Sequence, residues 1–423
     1  MNILEDLRAR DLVNQMTDEA GLEKHLTEDR VSLYCGFDPT ADSLHIGHLL
    51  PILMLKRFQE AGHRPIALVG GGTGLIGDPS GRNEERQLNE ESVVQQWVKN
   101  IENQLSRFID FSDEQTGAKV VNNYDWLSQM SVIDLLRDVG KHFSVNYMLA
   151  KDSVESRIEN GISYTEFTYM LLQSLDFQRL NQRENVTLQI GGSDQWGNIT
   201  AGLEFIRRTS EEGEDVEAYG LTVPLITKAD GSKFGKTAGG AIWLDESKTS
   251  PYEFYQFWIN TDDRDVVKFL KSFTFLSLDD IHALAKEVEE RPEQRIAQRR
   301  LAEEMTRMVH GEDALNQAQR ITEALFGGDI KNLTKEEVEV GFKDVPTYHL
   351  TEGEKGLIDL LVEAGISSSK RQAREDIQNG AVYINDEREQ DLQYVVNHED
   401  RIDNAFTVIR RGKKKYFLIR HDA

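Results

Sequence analysis

The chain has 423 residues, 39% of them hydrophobic, and a formal net charge of −24, so two to four domains with ordinary cores are expected. No run approaches the roughly 18 uninterrupted apolar residues of a membrane span. The opening Met1-Asn2-Ile3-Leu4-Glu5-Asp6 lacks the regions of a signal peptide, and the single cysteine excludes an internal disulfide and fits a reducing cytoplasm.

In chain order, residues 1–30 read as helix, acidic and basic by turns. Residues 31–37 (V-S-L-Y-C-G-F) are short, apolar and bounded by a turn, the pattern of a buried strand. Asp38-Pro39-Thr40 breaks it, and Asp42 or Ser43 is expected to cap the helix that follows. From Leu44 the apolar spacing (Leu49, Ile52, Leu53, Leu55, Phe58) is helical, which puts His45 and His48 on one face of the first turn. A helix N-terminus offers free N–H groups and partial positive charge to a polyphosphate. Two imidazoles there add donors that can follow charge onto phosphate oxygens in a transition state. No metal site is read: zinc needs further ligands, and only Cys35 lies nearby, with no carboxylate–histidine helix motif.

A second strand at residues 65–70 runs into G-G-G-T-G-L-I-G-D-P-S-G-R (residues 70–82). Gly72-x-Gly74-x-x-Gly77 formally matches a dinucleotide fingerprint, but that motif needs a helix opening within the glycines. Asp78-Pro79-Ser80-Gly81 is a turn instead, so the glycines are read as letting backbone approach a ligand. Residues 88–150 alternate helix with a strand at 118–123, and the apolar residues of 125–160 suggest a partner face. The helix from Phe167 to Phe177 is apolar nearly all round, yet Tyr169, Gln173 and Asp176 share one face. Buried polar groups left unpaired cost about 1–3 kcal/mol each. These three therefore either bond structural neighbours or, with Asp78 on an ammonium group, hold a small amphipathic ligand.

Residues 187–191 form another strand, and Gly192-Ser193-Asp194-Gln195 after it is either a plain Asx turn or a ribose site. A strand at 221–226 completes a pattern of strands alternating with helices, which implies a parallel, helix-covered sheet. In Lys228-Ala-Asp-Gly-Ser-Lys233-Phe-Gly-Lys236-Thr237 the Gly-Lys-Thr is no P-loop, because position 230 is Asp where that motif has glycine. Lys233 and Lys236 in glycine-rich sequence suit a flexible loop closing over phosphates. From about Ser250 to Thr322 helices dominate, residues 327–350 read as linker, and 353–423 read as two helices followed by short strands. The acidity argues against nucleic acid, but residues 367–423 carry 11 Lys+Arg against 10 Asp+Glu, densest at Arg410-Arg411-Gly412-Lys413-Lys414-Lys415. Overall acidity is expected to suppress unspecific RNA binding more than it forbids a specific one.

The string Y-C-G-F-D-P-T-A-D-S-L-H-I-G-H (residues 34–48) resembles the nucleotide signature of class I aminoacyl-tRNA synthetases. Its neighbours, G-G-S-D-Q (191–195) and K-F-G-K-T (233–237) resemble the bacterial tyrosyl-tRNA synthetase family, over essentially the whole chain and with the motifs in order. The resemblance implies an α/β, Rossmann-like parallel-sheet catalytic domain at 1–222, with a dimer face at about 125–165. It further implies an α-helical, anticodon-contacting domain at 223–325 that carries the K-F-G-K-T loop, a linker at 326–350 and an S4-like α+β RNA-binding domain at 351–423. By the same resemblance Tyr34 and Asp176 bond a tyrosine phenol, while Asp78, Tyr169 and Gln173 bind its α-amino group. A site that pairs a buried hydroxyl rejects phenylalanine by stranding its own polar groups, a rule for which tyrosyl-tRNA synthetases are themselves the standard illustration.

Thr40, His45, His48, Arg82, Arg86, Lys233, Lys236 and Thr237 are implied as the phosphate-facing catalytic set. Cys35, Gly36, Asp38, Gly47, Gly192, Asp194 and Gln195 are implied to face ATP or the adenylate. ATP with Mg²⁺, L-tyrosine and tRNA(Tyr) are the implied ligands of a cytoplasmic homodimer. Lys151, Arg207, Arg208, Asp262, Lys370, Arg371, Arg374, Arg410 and Arg411 are the implied RNA contacts. A tryptophanyl enzyme shares the scaffold, but Tyr34 with Asp176 suits a phenol better than an indole.

Overall fold

The structure, a computed structural model, describes residues 2–351 and 353–422. The chain divides into two compact units, one of residues 1–249 and 260–305, the other of residues 250–259 and 306–423.

The first unit is built on a six-stranded sheet: β1 (Gln15–Met16), β2 (Ser32–Phe37), β3 (Arg64–Val69), β4 (Lys119–Asn122), β5 (Val186–Gly192) and β6 (Tyr219–Val223). Their order is β1-β6-β5-β2-β3-β4, and every pair except the antiparallel edge β1–β6 is parallel. Strands covered by helices on both faces read as unbroken apolar runs. So it is here: Leu33, Tyr34, Cys35 and Phe37 of β2 and Ile66, Ala67, Leu68 and Val69 of β3 are all buried. The helix Leu49–Glu60 carries the chain from β2 to β3 and Trp196–Thr209 carries it from β5 to β6. The chain thus winds away from β2 on one side and from β5 on the other. In open parallel sheets the crevice at such a reversal, outside the carboxyl ends of the strands, is where ligands bind.

Several boundaries differ from expectation for local reasons. Residues 1–30 form two helices, Ile3–Ala9 and Glu19–Glu28, around the edge strand β1. β6 stops at Val223 because Pro224 has no N–H to give a ladder. The helix after β2 is not capped by Asp42 or Ser43. Asp42 pairs with Lys248 at 2.8 Å, the Ser43 hydroxyl donates to the Leu44 carbonyl, and a single 3₁₀ turn, Ile46–His48, precedes the helix at Leu49. The helix Val266–Phe273 is closed at its C-terminus by two buried guanidiniums. Arg57 donates to the Thr274 carbonyl (2.7 Å) and Arg10 to that of Leu276 (2.6 Å), which satisfies carbonyls that a helix end leaves open.

In the second unit the helix Pro251–Ile259 packs on Glu312–Gly327. A five-stranded sheet follows, ordered Glu387–Arg388, Val382–Ile384, Phe406–Arg411, Lys415–His421, Thr347–Leu350. Its last pair is parallel. The stretch read as linker therefore carries structure, a helix at Lys335–Gly341 and the edge strand Thr347–Leu350. Among the described residues no helix is long and apolar enough to cross a membrane.

Candidate functional site

A cavity of about 420 Å³ opens at the carboxyl ends of β2 and β5. It is lined by Tyr34, Cys35, Gly36, Asp38, Thr40, His45, Gly47, His48, Asp78, Arg82, Arg86, Tyr169, Gln173, Asp176, Gly192, Asp194 and Gln195. Seventeen residues picked from four separate stretches of sequence thus face one space. Lys233, Lys236 and Thr237 are exposed and stand outside the lining.

The inner end sets a buried carboxylate beside a buried hydroxyl. Asp176, on the helix Tyr169–Glu184, is buried and accepts from Asn123 Nδ2 (2.9 Å) and Trp126 Nε1 (2.7 Å). Burial pushes its carboxyl up to about 7, against the pull of those two donors. The Tyr34 hydroxyl beside it is buried and has no hydrogen-bond partner among the described residues. Desolvation first, then the Asp176 charge, holds that phenol in its neutral, donating form. An orphaned buried hydroxyl costs about 1–3 kcal/mol until something bonds it. Gln189, level with Tyr34 in the sheet, also lines the cavity with an unpartnered carbonyl oxygen.

The middle of the cavity is anionic. Asp38, at the end of β2, accepts from Tyr169 Oη and Thr73 Oγ1, both at 2.6 Å, and burial raises it to about 6. Asp78 accepts from the Ser80 N–H (2.9 Å), Gln195 Nε2 (3.0 Å) and Asn198 Nδ2 (3.4 Å). The Asp78 charge opposes ionisation of Asp38, and a cation placed beside them relieves that opposition. The glycines after β3 serve this arrangement rather than a ligand's approach: a Cβ at Gly70 would fall 1.9 Å from Asp38 Oδ1, and one at Gly74 would fall 2.9 Å from Pro39.

The mouth is cationic and rich in donors. His45 Nδ1 accepts from the Gly47 N–H (3.0 Å) and His48 Nδ1 from the His45 N–H (3.1 Å). Each imidazole that accepts at Nδ1 carries its proton on Nε2. Burial keeps both rings neutral, depressing His48 to about 3 with help from His45 and Arg86, and lowering His45 with help from Lys236. A Cβ at Gly47 would sit 2.7 Å from the His45 ring, so only glycine lets that ring fold back over the turn. Arg86 lines the cavity with a buried, unpartnered Nε. Its backbone N–H donates at 3.4 Å to Glu166, which is paired in turn with the buried Arg157 (2.7 Å). Asn123, Trp126, Thr73, Gln189 and Asn198 escaped the sequence reading. Only Gln189 left a signal, as an amide within an apolar strand.

The residues implied as RNA contacts divide by their bonding. Lys151 donates to Thr200 Oγ1 (3.1 Å) and lines a second depression of about 660 Å³ that shares Arg82, Ser193 and Asp194 with the cavity. Arg207 and Arg208 both pair with Glu204, and Asp262 is engaged by Arg264. In the second unit Arg371 and Arg374 are exposed, Lys370 pairs with Asp359, and Arg410 stacks 3.7 Å from the Tyr383 ring while pairing with Asp386. Arg411 is tied to Asp376 and the Ile366 carbonyl.

A family profile described as "tRNA synthetases class I (W and Y)" matches residues 26–327. A second, "Tyrosine--tRNA ligase SYY-like C-terminal domain", matches residues 337–419. The tyrosine--tRNA ligase of Oceanobacillus iheyensis is 65% identical over 99% of both chains, and that of Geobacillus stearothermophilus is 65% identical over 100% of both. Among solved structures, a C-terminally truncated mitochondrial tyrosyl-tRNA synthetase of Aspergillus nidulans superposes with a TM-score of 0.68 at 32% identity. It covers 77% of this chain and 94% of its own.

Proposed function

This chain belongs to the class I tyrosyl-tRNA synthetases, and from that premise we propose how its residues divide the work. The reaction is that of a tyrosine–tRNA ligase: tyrosine and ATP give tyrosyl-adenylate and pyrophosphate, and the tyrosyl group then passes to the 3′-terminal ribose of tRNA(Tyr). The orphaned Tyr34 hydroxyl beside Asp176 carries the reading of specificity. A tyrosine phenol donates to the Asp176 carboxylate and accepts from Tyr34, which satisfies both at once. Phenylalanine would leave them stranded. Its ammonium then lies among Asp78, Tyr169 and Gln173, and its carboxylate points to the mouth.

There the carboxylate attacks the α-phosphorus of ATP. No side chain need act as nucleophile or base, and catalysis is positioning and charge stabilisation. ATP enters as its Mg²⁺ complex. Nε2–H of His45 and of His48, the Thr40 hydroxyl, Arg82 and Arg86 meet the phosphates. Asp194, with Cys35 and Gly36, takes the ribose. Lys233, Lys236 and Thr237 come in from the loop as pyrophosphate leaves. The depression at Lys151 receives the end of the tRNA, with Arg207 and Arg208 along its stem and the exposed cations of 370–374 and Arg410 elsewhere on the RNA. Val132, Ile133, Leu136, Val145 and Tyr164 are all more than half exposed, an apolar face that suits a homodimer, and the enzyme works in the cytoplasm. Tyrosine-dependent ATP–pyrophosphate exchange is the test. Robust exchange with tyrosine and none with phenylalanine or tryptophan is expected, and exchange driven equally by tryptophan contradicts the phenol reading.

A further inference from the structure

We propose that Phe234 is a positioning residue for adenylate formation: seated on Phe269 and Phe273, it holds residues 233–237 so that Lys236 stands beside His45. The proposal rests on the reading above that the loop lysines act on the phosphates, and it assigns the residue between them a task of its own.

The Phe234 ring stacks on Phe273 (centroids 5.3 Å apart, planes at 17°) and meets Phe269 edge-on (5.2 Å, 67°). Phe269 and Phe273 are four residues apart on the helix Val266–Phe273, so they present one face, and both are core residues. That helix is held at its C-terminus by Arg57, which belongs to the helix Leu49–Glu60, and the N-terminus of the same helix follows the His45–His48 turn. The seat and the histidines are therefore parts of one rigid frame.

Around Phe234 the chain is tied to the same turn. Gly235 is buried at φ +81°, and a Cβ there would lie 2.5 Å from Ile46 Cγ2. Any larger residue would lift the loop off the turn. The Ile242 N–H donates to the Gly235 carbonyl (3.1 Å), and the Ile46 N–H donates to that of Ile242 (2.9 Å). An antiparallel bridge between Thr227 and Lys233 and the short hairpin Lys236–Thr237 with Gly240–Ala241 complete the loop, and a two-stranded ribbon of that size has little stability of its own. Lys233 and Lys236 are exposed, whereas Phe234 is half-buried and lines the cavity mouth. Lys236 pairs with Ala241, the Ile46 N–H donates to the Ile242 carbonyl, and His45 bridges to Trp243, so the backbone at Lys236 stands beside the histidine turn. The two aromatic contacts of Phe234 hold it there.

The test uses the full-length protein and ATP–pyrophosphate exchange, with tyrosine affinity and melting temperature measured alongside. Phe234→Ala is expected to lower kcat roughly 10- to 100-fold while tyrosine affinity stays within about twofold. Phe234→Leu, which refills the seat, is expected to recover most of the loss. Trypsin should cut after Lys233 or Lys236 faster in Phe234→Ala than in the parent. Lys236→Ala separates this proposal from the reading beneath it. If Lys236→Ala loses exchange while Phe234→Ala keeps it, the positioning role is overturned and the phosphate reading stands. If Lys236→Ala keeps full exchange, the phosphate reading falls and the proposal with it. A loss in Phe234→Ala that Phe234→Leu does not mend, or one that appears as weakened tyrosine binding, also overturns it.

Discussion

Asp176 has been taken out of water and given two donors, Asn123 and Trp126, which is enough to orient it but not enough to hold its charge cheaply. Its carboxyl is poised at about 7, so at neutral pH the free enzyme is a mixture of the carboxylate, which accepts from a phenol, and the acid, which does not. For tyrosine, kcat/KM reports the free enzyme's titration. It should fall about tenfold per pH unit below roughly 7, while kcat at saturating tyrosine falls less, because a bound phenol donating to the carboxylate favours its charged form. A pH profile of pyrophosphate exchange checks this. Asp176→Asn should remove the step near pH 7, leaving only the lower one of Asp38, and either abolish activity or lower discrimination against phenylalanine. Unchanged tyrosine activation in that variant contradicts the assignment.

The turn Ile46–His48 shows how an element prepares chemistry. Each ring accepts a backbone N–H at Nδ1, which fixes the tautomer and leaves an Nε2 donor for phosphate. His45→Ala should cut adenylate formation by roughly 10²-fold or more with little loss of tyrosine affinity, measured by pre-steady-state kinetics and equilibrium dialysis; collapse of tyrosine binding instead would remove the role. This reciprocal capping was not legible in the sequence. His45 and His48 were legible as sharing a face, but an imidazole serving as a cap has no compositional signature, whereas Asp42 and Ser43 nearby have one and are used otherwise. β2 and β3 were readable because strands buried on both faces must be apolar throughout. Tyr169, Gln173 and Asp176 stood out because polar groups at helical spacing on an apolar helix demand partners. Asn123 and Trp126 did not stand out, because an Asn at a strand end reads as a turn and a Trp among helices reads as core. Their partner Asp176 lies some fifty residues away. Strand Thr347–Leu350 was missed for the same reason: its sheet partner comes at the far end of the chain.

Across the whole molecule, apolar residues gather on the surface between Val132 and Tyr164 although the net charge is −24. Charge of that size keeps copies apart unless a specific apolar face offsets the repulsion. Sedimentation at micromolar concentration should therefore give twice the chain mass of 48.2 kDa. Leu136→Asp should shift the mass to one chain, and a monomeric parent would contradict the interface. The same acidity should make RNA binding depend on a few well-placed cations and leave specificity to them and to the active site. That division of labour stands or falls on how the amino acid is read. The most direct measurement is a crystal structure of the enzyme with a non-hydrolysable tyrosyl-adenylate analogue. The phenol oxygen is expected within about 3 Å of both Tyr34 Oη and an Asp176 oxygen, with the phosphate against His45 and His48. A phenol bonded elsewhere, with Tyr34 still unpartnered, would contradict the account.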